Sequence, residues 1–256
     1  MFDSLHPMTD IVVLSYNNRK ITEKCLIHLY KNTKNFHIYL VDNKSKDDTI
    51  SFIKGKNYDN LTLIENDKNS GVAGGRNIGV KAGNSEYVIC LDNDQFATCP
   101  NWLHELFAIH EKGYDMVGVD AWEMHPPTYK MRPYFPKKRC ETKFDKFSYV
   151  GGGGTLIPRK IFEEVDFFDD YYSPAYFEDS DFFFKASQSG YNAAWHFKNK
   201  ILHLGHQTLG VQKDYSLNSQ FQKSYKYFVE KWMPYFPRPG NSLLLERMIP
   251  ELFGVA

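Results

Sequence analysis

Apolar positions in the first hundred residues change their period repeatedly, and each change predicts a new element. Residues 11–15 (Ile-Val-Val-Leu-Ser) form a short β-branched run, after which Ile21, Cys25, Leu26 and Leu29 share one face of a helix. Residues 36–41 (Phe-His-Ile-Tyr-Leu-Val) read as a second strand. The polar stretch 42–49 combines a loop with a helix start, with Ser45 or Asp47 as cap ahead of Ile50, Phe52 and Ile53. Residues 61–64 give a third strand, residues 70–82 a glycine-punctuated loop turning into a helix, and residues 87–92 a strand apolar enough for burial on both faces. Four strands alternating with helices predict a parallel, three-layer α/β sheet.

The second half is patterned differently. Residues 100–107 read as a helix with proline in its first turn, and the Pro-, Lys- and Arg-rich residues 125–146 as loop. Residues 147–158 and 193–204 read as strands, and residues 179–189 as a helix closed by Gly190. Beyond residue 213 the pattern is aromatic and helical, broken by Pro234, Pro237 and Pro239.

Composition narrows the function classes. With 31 basic and 31 acidic residues, no global field draws the 256-residue chain to nucleic acid or anionic membrane. Four cysteines without a paired spacing fit a reduced, cytoplasmic protein, with Cys90 a small core residue. The first ten residues lack a signal-peptide design, and no apolar run approaches a membrane span. A soluble protein is expected, attached at most peripherally to a membrane surface.

The chemistry begins where the fourth strand ends, in Asp92-Asn93-Asp94. Two carboxylates so close repel each other and resist desolvation, whereas a divalent cation relieves both costs and can grip a diphosphate. Taken alone, the pair could be a polar turn. Asp42 and Ser15-Tyr16-Asn17 stand at two other strand ends, where open α/β sheets bind ligands. Asp42 can accept from a base N–H or a ribose hydroxyl, or cap the following loop. In the segment from Asn69 through Gly71 to Arg76 and Asn77, the glycines suit close backbone approach to a ligand, although this is neither Gly-x-Gly-x-x-Gly nor a P-loop. Arg76 can pair with a phosphate or brace Asp92.

In this order, and with Phe177-Glu178-Asp179-Ser-Asp181-Phe182 beyond them, these motifs resemble those of the family 2 inverting glycosyltransferases, over roughly residues 9–206. The resemblance implies the GT-A fold, a Rossmann-like α/β/α arrangement with a mostly parallel sheet. It would occupy residues 1–212 (a nucleotide-sugar half 1–99, an acceptor half 100–212), followed by a helical C-terminal extension over 213–256. It also implies a UDP-, dTDP- or GDP-sugar donor and a divalent metal, Mn2+ or Mg2+. Asp42 would contact base and ribose, Asp92 ribose or metal-bound water, and Asp94 the metal directly. Ser15, Tyr16, Asn17, Asn69, Gly71, Arg76, Asn77 and Asn93 would line the donor site, and Asp179 would be the catalytic base with Glu178 its rival. A histidine in His203-Leu-Gly-His206 would complete the metal site or touch the diphosphate, unless it is simply a polar residue at a strand end; His206 is favoured because Gly205 loosens the chain before it. Gly153 and Gly154, in a run of four glycines, would approach the sugar or acceptor.

Read as residues only, Glu178, Asp179 and Asp181 open a helix whose dipole favours negative charge, so capping competes with catalysis for each. Trp102, Trp122 and Trp195 fit core packing better than sugar stacking. Six basic residues over 130–143 form a solvated loop, or recognise an anionic acceptor such as a lipid diphosphate or a nucleic acid. The stripe Phe221, Tyr225, Tyr227, Phe228 and Trp232 suits packing on its own domain, a homodimer partner or a membrane surface. Two other functions fit the architecture. A sugar nucleotidyltransferase would place a Gly-rich, Arg-containing loop after the first strand, where Ser15-Tyr16-Asn17 stands. A silent binding module would not need Asp92, Asp94 and Asp179 together.

Overall fold

The computed structural model describes residues 6–124, 131–133, 148–196, 198, 200–205 and 217–235. Strands β1 (Thr9–Ser15), β2 (Phe36–Asp42), β3 (Leu61–Glu65) and β4 (Tyr87–Asp92) alternate with helices α1 (Arg19–Asn32), α2 (Thr49–Lys54) and α3 (Gly71–Ala82). After them come β5 (Gln95–Ala97), α4 (Trp102–His110), β6 (Met116–Gly118), β7 (Ala121–Met124), β8 (Met131–Pro133), β9 (Ser148–Val150) and β10 (Leu156–Pro158). The described chain continues with α5 (Arg159–Glu164), α6 (Glu178–Gln188), β11 (Ala193–Trp195), β12 (Ile201–His203) and α7 (Leu217–Trp232).

The main sheet runs β11-β6-β10-β4-β1-β2-β3. Its β4-β1-β2-β3 part is parallel, as the alternation predicts, and Ser15 pairs with Asp42 while Leu14 pairs with Asp92. The polar strand ends therefore meet at one edge. Alternation along β1 shows burial on both faces: Ile11 and Val13 join one core with Cys25, Leu26, Leu29 and Trp102, while Val12 and Leu14 join another with Ala73, Val80, Phe162 and Phe228.

Three expectations change. β10 lies antiparallel between β4 and β6, and residues 147–158 split at the glycine run into β9, in a separate β8-β7-β9 sheet, and β10. Residues 193–204 likewise split, β11 pairing with β6 and β12 antiparallel with β5. The segment expected to be a loop turning into a helix is helical from Gly71 onward: a Cβ on Gly75 or Gly79 would lie 2.3 Å from Leu14 or Val12, so these glycines let α3 pack closely on β1.

The aromatic stripe also finds its place. Phe228 and Trp232 are buried, and they meet Phe177 and Phe184 in the core beneath α6. α7 thus packs into the domain core, with Tyr225 also buried and Phe221 and Tyr227 half-buried against it. No helix among the described residues is long and apolar enough to cross a membrane.

Candidate active site

The strand ends open into a cavity of about 660 Å³. Asp92 closes β4, Asp94 follows it, and the antiparallel pairing of His203 with Gln95 carries His203 to the same corner. There His203 Nε2 lies 3.3 Å from Asp94 Oδ1, and one ligand atom from each of Asp92, Asp94 and His203 falls within 4.8 Å of the others. The bond to Asp94 raises the His203 pKa. His206, the histidine favoured from sequence, lies outside the described residues.

Arg76 reaches the cavity from α3 and is almost wholly buried. Its Nη2 donates to Asp92 Oδ1 at 2.9 Å, its Nη1 is 4.0 Å from Glu178 Oε1, and its Nε has no partner among the described residues. Burial opposes its charge, but Asp92, with Glu178 and Asp179, more than restores it. Arg76 braces Asp92, one of the two roles its chemistry allowed.

Tyr176 and Phe177 both adopt positive φ, 81° and 72°, and so turn the chain sharply into α6. Glu178 and Asp179 consequently line the cavity at the positive end of a helix. Asp179 Oδ2 accepts from Gly152 N at 3.3 Å and Oδ1 from Ser180 N at 2.7 Å. Glu178 Oε2 is buried without a hydrogen-bond partner among the described residues. Burial pushes Glu178 up to about 8, aided by Asp179 and opposed by Arg76, and burial raises Asp179 too. Asp181 does not cap. It is fully buried and accepts from Tyr172, Lys231 and Trp232, which fastens α6 to α7.

Tyr16, Asn69, Gly71, Asn93 and Gly153 also line the cavity. Five residues expected in the donor site do not line this cavity. Ser15 is buried with its hydroxyl on Thr22, and Asn17 ties the β1 end to Ser45 and Lys46. Asn77 is buried against Phe168 and Asp170, and Gly154, at φ 84°, packs on Val119. Asp42 is fully buried and its carboxylate accepts from Ser45 N and Oγ at 2.7 and 2.5 Å, which shapes the turn before α2. Ser45 therefore braces Asp42 instead of capping, and Asp47 receives Thr49 N and Oγ1 at the helix start.

Sequence reasoning missed Asn43, Gln95 and Asp120, and Trp122 is half-buried, packing against the core and also lining the cavity. Asp120 carried a signal, an acid just after a short apolar run, but not the strand pairing that aims it. Trp102 and Trp195 do pack internally, donating to Thr33 and the Val119 carbonyl. Of the basic segment 130–143, only residues 131–133 are described.

Comparison with known proteins agrees with this geometry. Residues 10–166 match the family model described as Glycosyl transferase family 2. A poly(ribitol-phosphate) beta-glucosyltransferase of Bacillus spizizenii is 33% identical over 92 residues, 34% of this chain and 14% of that protein. Glycosyltransferase GlyG of Streptococcus pneumoniae serotype 4 is 28% identical over 190 residues, 64% of this chain and 62% of GlyG. Among solved structures, S. aureus TarS 1-349 in complex with UDP-GlcNAc superposes with TM-score 0.57 at 22% identity, over 73% of this chain and 55% of that one. The mannosyltransferase PcManGT from Pyrobaculum calidifontis, in complex with GDP-Man and Mn2+, gives 0.59 at 17% identity, over 75% and 55%. The fold is shared with both, and the matched parts span less than two thirds of each relative's own length.

Proposed function

This chain belongs to glycosyl transferase family 2, and we propose that it moves a sugar from a nucleotide-diphosphate sugar to an acceptor hydroxyl, with a divalent cation and with inversion at the anomeric carbon. The carrying observation is the meeting of Asp92, Asp94 and His203 in one cavity with Asp179. Membership in the family sets aside the nucleotidyltransferase reading.

Two carboxylates and an imidazole, with ligand atoms within 4.8 Å of one another, suit Mn2+ or Mg2+. A cation held there would stabilise charge on the departing nucleoside diphosphate. The remaining work belongs to side chains. Asp179 takes the proton as the acceptor O–H breaks and its oxygen bonds to the anomeric carbon; the C–O bond to the diphosphate breaks and its electron pair leaves with the diphosphate oxygen. The Gly152 and Ser180 amides hold the Asp179 carboxylate in position. Arg76 keeps Asp92 in place and partly offsets the acidic pair. The solved relatives in complex with UDP-GlcNAc and with GDP-Man and Mn2+ support the donor class. A cytoplasmic setting, proposed from the cysteines, is in keeping with Cys25 and Cys90 as separate buried thiols.

NMR of the product's anomeric proton tests the proposal. An α-linked donor should give a β-linked product, and an α-linked product would overturn the single displacement.

A further inference from the structure

One carboxylate in the cavity has no part in that mechanism. Asp120 stands just beyond β6, where its Oδ1 accepts from Gly151 N at 3.1 Å and its Oδ2 from Trp122 Nε1 at 3.2 Å. A Cβ on Gly151 would lie 2.3 Å from Oδ1, so only glycine admits this approach. A carboxylate offers about four lone-pair positions. Two are answered by the protein, and the side chain lines the cavity beside the Trp122 ring, whose orientation the same bond fixes.

The next amide, Gly152 N, holds Asp179, so the two acids hang from consecutive peptide groups. Asp120 shares the cavity with Asp179, the proposed base, and with His203 of the cation corner. If transfer proceeds as described above, the sugar being moved lies between those two groups. A second unanswered polar atom, Glu178 Oε2, belongs to a side chain only 7% exposed in the same cavity. An indole face beside a carboxylate suits a pyranose: the C–H face stacks on the ring and neighbouring hydroxyls donate to the acid.

We propose that Asp120 and Trp122 form the subsite that reads the transferred sugar, accepting from two adjacent hydroxyls of an uncharged pyranose. Asp120 is then a specificity residue, and a uronic acid is disfavoured because its carboxylate would face Asp120 and Asp179. This inference rests on the glycosyl-transfer reading.

Calorimetry on the full chain with Mn2+ separates the two. The titrants are UDP, GDP and dTDP, then UDP-glucose, UDP-galactose, UDP-N-acetylglucosamine, UDP-glucuronate, GDP-mannose and dTDP-glucose. For the donor bound best by wild type, Asp120→Ala should weaken binding at least about tenfold while leaving the free nucleoside diphosphate within about twofold, which also verifies the fold. Trp122→Ala should behave alike, and Asp120→Asn should narrow the bias against UDP-glucuronate. Unchanged donor affinity in Asp120→Ala, or a loss confined to kcat, would overturn the sugar-reading role alone. A wild-type chain that binds no nucleoside diphosphate would overturn both readings.

Discussion

Arg76 Nη2 donates to Asp92 Oδ1 at 2.9 Å while Nη1 lies 4.0 Å from Glu178 Oε1, so one buried guanidinium joins the cation corner to the acidic pair. Removing it leaves carboxylates without countercharge. Arg76→Met should cost about 3 kcal/mol, the lower end for a broken buried pair because Asp92 is one-third exposed. Urea unfolding measures this, and Arg76→Lys should recover little, since one ammonium cannot span both partners. An unchanged midpoint in Arg76→Met would remove the guanidinium from this role.

Glu178 makes stability depend on pH in a definite direction. Its folded pKa of about 8 stands above the ordinary value of 4.5, so the native state holds a proton that the unfolded chain releases. The contribution is complete below about pH 4.5 and is lost as pH rises through about 8. Glu178→Gln should therefore be the more stable protein at pH 8, with its advantage shrinking toward pH 4.5. Parallel pH profiles for the two, measured without ligands, would contradict the raised pKa.

The cation corner predicts a graded series. Asp94→Asn should abolish transfer and the Mn2+-dependent part of nucleotide binding, whereas His203→Ala should weaken both. Calorimetry with and without EDTA reads the effect. If His206→Ala removes the Mn2+ response and His203→Ala does not, the third ligand is His206.

Asp179→Asn keeps the shape of the side chain and removes its basicity. We expect kcat to fall by at least about 10²-fold, with donor binding and Tm little changed. Because burial raises the Asp179 pKa and a base must be ionised, wild-type kcat should climb with pH through a limb lying above the usual aspartate range. A variant that melts early yet turns over normally per folded molecule would return Asp179 to a structural role.

Helix α7 should behave as core. Phe228 is fully buried against Phe177 and Phe184, so Phe228→Ala should cost about 3–5 kcal/mol. Co-sedimentation with anionic vesicles checks the alternative, since a membrane-facing helix would lose binding on this substitution and not stability.

What the sequence discloses depends on how local the cause is. The β1 to β4 alternation is written in residues a few positions apart, and so are Asp92, Asp94 and the acidic start of α6. The nearness of His203 to Asp94 is a matter of register, since β12 pairs with β5 about a hundred residues earlier. Asp120 and Trp122 owe their places to Gly151, whose missing side chain matters only once β7 and β9 are side by side. The glycines of α3 are ambiguous for the same reason: helix packing on β1 and close backbone approach to a ligand both call for glycine, and composition does not say which. Asp42 sits at the expected strand end, but its full burial and its place outside the cavity lining depend on packing that the motif does not spell out.

The fastening of Asp181 to Lys231 and Trp232 has a consequence for the order of events during synthesis. The cation corner is complete once residue 203 has left the ribosome, but the clamp on the helix that carries Glu178 and Asp179 comes from residues made about thirty codons later. On the proposed function, a growing chain would hold the residues for gripping a diphosphate before the helix that carries Asp179 is fastened.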